Sequence, residues 1–118
     1  MRNALRSLPK RRDFGLVFRE GFSAAAKYLV IYARPNDLEW NRLGLSVSKK
    51  IGKAVTRNRV KRLLREAVRK VLRDTEQHYD VVIVAKKTSA EAGLEHFIMD
   101  INKLFPRVSN AKSADSTH

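Results

Sequence analysis

The sequence predicts one layered domain of mixed structure, either α/β or α+β, and three observations support this. The chain has 118 residues, which is enough for one domain with one modest core and too few for two. Helical and strand patterns follow one another in the order helix, two or three strands, helix, strand, helix. A strand, helix, strand unit in that order favours parallel pairing of its two strands across the helix.

The first helix is predicted between Ser7 and Gly21. Ser7 is a capping residue, Pro9 suits a first-turn position, and Gly21 tolerates the positive φ at which many helices end. One face of this helix collects its large apolar residues: Phe14, Val17 and Phe18.

Two strands are predicted next, over residues 28–33 and 41–48, joined through Pro35. The first is rich in β-branched and aromatic residues, and the second alternates between large apolar residues and Gly or Ser. A third strand over residues 22–26 is a weaker prediction because alanine has low β-propensity. If helices cover only one side of a four-stranded sheet, its other side is left partly open, and these residues are expected to point to it: Tyr28, Val30, Tyr32, Gly44, Ser46 and Ser48.

The best defined element is a helix that follows Thr56, its predicted N-cap. Its apolar residues recur at i, i+3, i+4, i+7, i+8 and i+11: Val60, Leu63, Leu64, Ala67, Val68 and Val71. The opposite side presents a polar and cationic set: Asn58, Arg62, Arg65, Arg69 and Arg73, flanked by Arg59 and Lys61. Arg57 lies near the border of the apolar stripe, where it can reach sideways toward a neighbouring groove.

This helix lies in the most basic part of the chain. Residues 49–73 contain eleven Lys or Arg and one acid, Glu66, which is net +10 of the formal +13. Positive charges at this density repel one another strongly, so a polyanion is the expected partner. Nucleic acid is the first candidate. For Arg69 and Arg73 a solvated helix face is an equal alternative, and Glu66 is expected to pair with Lys70 at i+4.

Downstream, residues 79–86 predict a Val/Ile strand buried on both faces, and residues 94–105 predict a last helix after Gly93. The polar residues 109–118 predict a disordered tail, so the domain is expected to span residues 1–108.

Composition excludes several classes of site. The absence of cysteine excludes disulfides and thiolate metal sites. The longest apolar runs are far below the roughly 20 residues of a membrane span, and no secretory signal is visible in residues 1–10. We therefore expect a cytoplasmic protein with no membrane partner and no small-molecule substrate.

No catalytic or metal-binding constellation is predicted within the chain. The histidines, His78, His96 and His118, are scattered without the spacing of a base, nucleophile or metal site. Three aspartates belong to different predicted elements and do not suggest a nuclease metal cluster: Asp13, Asp80 and Asp100.

The run from Leu43 to Ala67, which contains Lys49-Lys50-Ile51-Gly52 and Arg57-Asn58-Arg59, closely resembles the signature of the bacterial ribonuclease P protein subunit. The resemblance covers roughly residues 5–106, including Asp13-Phe14, Val17-Phe18, Gly21, Val30-Ile31-Tyr32 and the strand that begins at Asp80. It implies an α+β fold: a single two-layer αβββαβα domain with a four-stranded sheet, of the ribosomal protein S5 domain 2-like type. It also implies a left-handed βαβ crossover around the basic helix, where the general rule would predict the right-handed one.

The resemblance implies an accessory protein of a ribonucleoprotein enzyme. Its partners would be the ribonuclease P catalytic RNA, which requires Mg²⁺ and performs the cleavage, and precursor tRNA, which loses its 5′ leader. Contacts with the catalytic RNA are implied at Lys49, Lys50, Lys53, Arg57, Asn58, Arg59, Lys61, Arg62 and Arg65. A cleft for the single-stranded leader is implied between the first helix and the sheet, at Phe14, Phe18, Val30 and Tyr32. From their small size we infer that Gly44, Ser46 and Ser48 let an RNA strand approach the sheet closely.

A plain RNA-binding module of the ribosomal or RNA-chaperone type is the alternative function. The aromatic set discriminates between the two, because aromatic faces stack unpaired bases whereas a duplex binder has little use for them. Without the resemblance, Phe14 and Phe18 at i and i+4 would be interpreted as core, and Tyr32 as the edge of a core.

Overall fold

The helices and strands follow the predicted order, with one strand added at the start. A computed structural model describes the backbone of residues 5–116 and the side chains of residues 5–109. The elements are β1 Leu5–Ser7, α1 Arg11–Glu20, β2 Phe22–Ala25, β3 Leu29–Pro35, β4 Asn41–Ser46, α2 Ala54–Val71, β5 Tyr79–Ala85 and α3 Leu94–Ser116. Two short 3-10 helices lie between them, the first at Lys49–Ile51 and the second at Lys87–Glu91.

The strands form one sheet in the order β1-β4-β5-β3-β2. β4 and β5 are parallel neighbours joined through α2, which confirms the predicted strand, helix, strand unit. The predicted count of four strands is wrong, because β1 pairs in parallel with β4 at the edge. Three residues are too few to show an alternating pattern in the sequence. The guanidinium of Arg6 also stacks over the ring of Trp40 at 4.0 Å, a contact between β1 and the β3–β4 turn.

Helices lie on both faces of the sheet. The main core is formed where α2 and α3 pack on one face, against residues such as Ile31, Leu43 and Ile83. α1 packs on the other face, where Val17 and Val82 are fully buried with Leu8 beside them. The expectation of helices on one side only is therefore wrong for α1, although this face of the sheet is partly open as predicted.

α2 begins earlier than its sequence pattern predicts. Ala54 is its first residue and Lys53 its N-cap, so the predicted N-cap, Thr56, lies inside the first turn. The start is determined by Gly52, whose φ of +152° is a conformation that side chains rarely allow, and by the extended Lys53 that follows. The predicted apolar stripe is confirmed, and these residues are buried: Val60, Leu64, Ala67 and Val68.

The ends of α1 also differ from the prediction. The helix begins at Arg11, because Ser7 belongs to β1. Gly21 follows its last residue, but with a φ of −83°, so the predicted positive φ is wrong. A Cβ on Gly21 would lie 2.6 Å from the carbonyl oxygen of Val17 and 2.7 Å from that of Ala33. The chain therefore needs glycine here for close packing and not for its backbone freedom.

α3 is longer than predicted. The pattern predicts an end at Phe105, but the helix continues through Pro106 to Ser116. The backbone of residues 109–116 is thus helical where the composition predicts a disordered tail. A domain boundary at residue 108 stays a prediction, and residues 117 and 118 lie outside the described part of the chain.

Candidate RNA interface

α2 presents its cations to solvent because its apolar stripe is buried against the sheet and α3. Asn58, Arg62 and Arg65 are exposed, and Lys61 is half-buried. Val55 lies on the same face, three residues before Asn58 and seven before Arg62, and is 81% exposed. The sequence analysis did not include Val55, whose apolar side chain lies in solvent among the cations of α2.

Two arginines of the Arg57-Asn58-Arg59 run bind the protein's own backbone. Nε of Arg57 donates to the carbonyl oxygen of Gly52 at 3.1 Å, so this side chain turns back to the loop before α2. Arg59 donates through Nη2 to the carbonyl of Ala90 at 2.6 Å and through Nη1 to that of Ala92 at 3.2 Å. Only Asn58 of the three points freely to solvent.

The single acid of the basic segment pairs along α2. Oε1 of Glu66 lies 3.3 Å from Nη1 of Arg69, so the expected pairing with Lys70 is wrong. Positions i+3 and i+4 are both neighbours on a helix surface, and the sequence alone does not choose between them. The pair is largely exposed and contributes little stability.

The remaining predicted cations adjoin the start of α2. Lys49 and Lys50 are exposed on the first 3-10 helix, which buried Ile51 anchors to the core, and exposed Lys53 occupies the N-cap position of α2. They extend the cationic face of α2 beyond its first turn, where free backbone N–H groups also favour anions.

The face of the sheet under α1 has two rows of residues across β3, β5 and β4. The strand register places Tyr32, Val82 and Gly44 in one row, and Val30, Val84 and Ser46 in the next. Val84 is only half-buried, unlike the fully buried Val82, so the second row lies at the open part of this face. The sequence analysis missed Val84 because the Val/Ile run of β5 predicts a strand that is buried on both faces.

Two phenylalanines of α1 line this face in different ways. Phe14 is half-buried and packs with Tyr32 and Val84 around the small core of α1. Phe18 is 42% exposed and meets Tyr32 edge to face, with ring centroids 4.8 Å apart. Phe14 therefore combines a core role with exposure, whereas Phe18 presents an aromatic ring to solvent.

Two other residues predicted for this face lie elsewhere. Tyr28 precedes β3 and packs against α3, with ring centroids 5.0 Å from His96 and 6.4 Å from Phe97, so its predicted position on the open face is wrong. The chain bends at residues 27 and 28, and the strand alternation does not extend back to them. Ser48 lies past the end of β4, where it is exposed beside the first 3-10 helix.

A cavity of about 240 Å³ joins the aromatic and cationic groups. Phe14 and Gly44 line it from the α1 side, and Lys61, Arg65 and Arg69 line it from α2. The two residue sets that the sequence treats as separate are therefore continuous around the edge of the sheet. The periodicity of α2 alone does not predict this shared cavity, because the cavity depends on which edge of the sheet α2 lies beside.

The other end of the same face carries charges that are already paired. Asp80 is buried and accepts two hydrogen bonds from Arg42, at 2.8 and 2.7 Å, and one from Asn36 at 2.8 Å, with Arg34 at 3.7 Å. Burial raises the pKa of Asp80, but the hydrogen bonds from Arg42 and Asn36 and the nearby positive charges outweigh it, so the pKa lies below its usual value. The pKa of Arg42 is raised, chiefly by its hydrogen bond to Asp80. This network is structural and leaves Arg42 little capacity for RNA.

Comparisons with known proteins agree with this geometry. The family profile of ribonuclease P matches residues 2–109. The chain is 46% identical over 107 residues to the ribonuclease P protein component of Caldanaerobacter subterraneus subsp. tengcongensis, covering 91% of this chain and 92% of that protein. Against the component of Clostridioides difficile the identity is 42%, covering 89% of this chain and 93% of that one.

The chain belongs to the ribonuclease P protein family. Among solved structures it is similar to the RNase P protein of Staphylococcus aureus, with a TM-score of 0.72 at 31% identity over 82% of this chain and 89% of that one. The RNase P protein of Thermotoga maritima, in a complex with 1-(4-fluorophenyl)-2-thiourea, gives a TM-score of 0.71 at 35% identity, covering 80% and 92%. As a family member the chain is the protein component of ribonuclease P, a ribonucleoprotein endoribonuclease that matures the 5′ end of tRNA.

In this ribonuclease P protein, residues 5–109 hold no group of three or more His, Asp or Glu arranged to bind a metal ion. No helix over the described residues combines the length and apolar character that crossing a membrane requires.

Proposed function

We propose that this protein docks on the ribonuclease P catalytic RNA through the exposed face of α2 and holds the single-stranded 5′ leader of precursor tRNA against the sheet under α1. The single observation that carries the proposal is the edge-to-face pair of exposed Phe18 and half-buried Tyr32 beside an open row of small and apolar residues. That row consists of Val30, Val84 and Ser46.

The proposed docking surface combines Asn58, Lys61, Arg62 and Arg65 with the lysines before α2 and the exposed Val55. Guanidinium groups match phosphate oxygens in pairs, and a helix face carrying several of them fits the regular phosphates of a folded RNA. These contacts are sequence-independent, so they suit a scaffold RNA that is recognised by its shape.

The proposed leader cleft has different chemistry. Stacking on an aromatic ring is worth about 1–3 kcal/mol per base and tolerates any base, which suits a factor that processes many precursors. The cavity that joins Phe14 to Lys61, Arg65 and Arg69 would let phosphates of the same strand meet cations where it leaves the rings. Cleavage itself would be performed by the RNA with Mg²⁺, in the cytoplasm, and the protein would lower the Mg²⁺ requirement by neutralising phosphates.

A cleavage assay tests the proposal. Precursor tRNA is incubated at low Mg²⁺ with the protein, with its cognate catalytic RNA, and with both. We expect cleavage only in the presence of the RNA, and faster cleavage when the protein is added. Cleavage by the protein alone would contradict the accessory role.

Leader-bearing precursor and mature tRNA are compared for binding to the assembled holoenzyme. We expect the precursor to bind more tightly, with the difference removed by Phe18→Ala. Equal affinity for both substrates in the wild type would contradict the leader cleft and would favour a plain RNA-binding module.

A further inference from the structure

We propose that Arg59 is a positioning residue: it ties the second 3-10 helix to α2 and thereby places the lysines at that end of the sheet, without contacting RNA itself. The family signature places Arg59 beside Asn58 and Arg62, but its surroundings differ from theirs. Arg59 is half-buried, and its guanidinium spans the carbonyl oxygens of Ala90 at 2.6 Å and Ala92 at 3.2 Å.

The two carbonyl oxygens lie at the C-terminal end of the second 3-10 helix, where backbone acceptors lack donors within the helix. Ala90 lies in the last turn of the second 3-10 helix and Ala92 directly follows it, so their carbonyls have no partner further along that helix. This end also carries the negative pole of the helix dipole, which favours a cation. A guanidinium donates to two acceptors from a rigid fork, whereas the ammonium of a lysine is a point charge on a flexible stem.

The second 3-10 helix carries lysines close to those of the predicted RNA surface. The register pairs Val84 with Ser46 and Ala85 with Leu29, so the end of β5 lies beside the end of β4. Lysines follow both strand ends: Lys49 and Lys50 on the first 3-10 helix, Lys86 and Lys87 at the start of the second. The two 3-10 helices contact each other, and Ile51 and Ala92 anchor them in the core. A tether at Ala90 and Ala92 therefore fixes the positions of lysines on both segments.

Arg62 provides the matched comparison. It lies three residues further along α2, is exposed, and has no hydrogen bond or ion pair with any residue in the range 5–109. If the signature acted only through charge, Arg59 and Arg62 would respond alike to substitution. The structure predicts that they respond differently.

Hydrogen exchange of the free protein tests the tether without RNA. The amides of Ser89 and Ala92 donate within the second 3-10 helix, to Lys86 and Ser89 respectively, and report its local opening. We expect both Arg59→Lys and Arg59→Ala to accelerate exchange at these two amides about tenfold or more, since hydrogen bonds to a charged group are lost. Exchange in β5 stays unchanged, and Arg62→Ala leaves all these amides as in the wild type. Unchanged exchange at Ser89 and Ala92, or equal acceleration throughout β5, would overturn the proposal.

Titration with the cognate catalytic RNA at several salt concentrations tests the consequence, which rests on the proposed function. We expect Arg59→Lys to bind as weakly as Arg59→Ala, about tenfold below the wild type, because the charge is kept but the fork is lost. In the same assay Arg62→Lys is expected to bind the RNA more tightly than Arg62→Ala, because its exposed position keeps a cation that faces phosphate. Wild-type affinity of Arg59→Lys, with a smaller salt slope for Arg59→Ala, would show a direct phosphate contact and overturn the proposal. If the wild-type protein itself does not bind the RNA, the proposed function fails, and the exchange result still decides the tether.

Discussion

The ring of Phe14 occupies the space that a side chain on Gly44 would need. A Cβ built on Gly44 would lie 2.7 Å from Cε2 and 2.9 Å from Cε1 of that ring, and closer still to Cζ. Because real Cβ atoms do not approach other carbons so closely, the aromatic residue of α1 and the glycine of β4 depend on each other. Their contact lies at the junction of the aromatic face and the cavity beside α2.

Gly44→Ala is expected to lower the free energy of unfolding by about 1–3 kcal/mol, because the ring must leave its place in the small core. Urea unfolding at pH 7 measures it. Gly15→Ala is the control, since Gly15 lies within α1 and the nearest heavy atom to its Cβ would be Nη1 of Arg19 at 3.6 Å. Alanine there should raise the free energy of unfolding by about 0.5–1 kcal/mol. A Gly44→Ala protein as stable as the wild type would mean that the ring moves at no cost.

Phe18→Ala is expected to weaken binding of leader-bearing precursor by about 1–3 kcal/mol, the value of one stacked base, and to leave binding of mature tRNA unchanged. Fluorescence titration of the holoenzyme with both substrates measures the difference. Met99→Ala is the control, because Met99 is 68% exposed but lies on α3, on the opposite face of the sheet. A loss of the same size for Met99→Ala, or for mature tRNA, would contradict stacking in the cleft.

Arg62→Ala is expected to lower affinity for the catalytic RNA and to reduce the slope of log K against log salt by about one unit, as for one lost phosphate contact. Binding titrations between low and moderate salt give the slope. Lys103→Ala removes the same charge from an exposed position on α3 and should leave the slope unchanged. Equal slopes for wild type and Arg62→Ala would place Arg62 outside the interface.

Asp80→Asn is expected to lower the free energy of unfolding at pH 7 by about 2–4 kcal/mol, because Arg42 loses one of its two acceptor oxygens and the negative charge that balances its guanidinium. Urea unfolding measures the change. Glu20→Gln serves as control, since Glu20 is exposed and lies 3.5 Å from Arg34, and its loss should cost no more than about 1 kcal/mol. A similar loss in the free energy of unfolding for both variants would mean that the burial of Asp80 does not strengthen its contribution to stability.

The same carboxylate predicts a dependence on pH. The pKa of Asp80 is lower in the folded protein than the ordinary value of about 3.9 that the unfolded chain retains. Its stabilisation is therefore complete above that ordinary value and is lost as the pH falls through the lower, folded pKa. The free energy of unfolding should fall less between pH 5 and pH 2 in Asp80→Asn than in the wild type. Parallel pH profiles for the two proteins would contradict the lowered pKa.

Local patterns predicted the elements whose residues carry strong periodicity. The apolar stripe of α2, the β-branched β5 and the weak strand at β2 all appear where the sequence indicates them. Errors concern positions where tertiary contacts override local preference. Thr56 is a good capping residue, yet Gly52 determines where α2 starts, and Ser7 is drawn into pairing with β4.

For the candidate site, the sequence predicted the position of some residues correctly and of others wrongly. Phe14, Phe18 and Tyr32 lie together on one face of the sheet, as the resemblance implied. Val84 was missed because its exposure depends on how much of that face α1 covers. Tyr28 was misplaced because alternation in a strand says nothing about where the chain bends.

By itself, the sequence determined that this protein is a basic, single-domain α+β protein of the ribonuclease P family, with a helix that separates an apolar face from a cationic one. Composition and spacing suffice for the charge and for the two faces of the helix, because charge density and helical period are local properties, whereas the family follows from the resemblance of the run from Leu43 to Ala67. Only the tertiary structure decided which cations remain available. Arg59 binds the carbonyls of Ala90 and Ala92, Arg42 binds Asp80, and Lys61 and Arg65 line one cavity with Phe14, because residues distant in sequence become neighbours only when the chain folds.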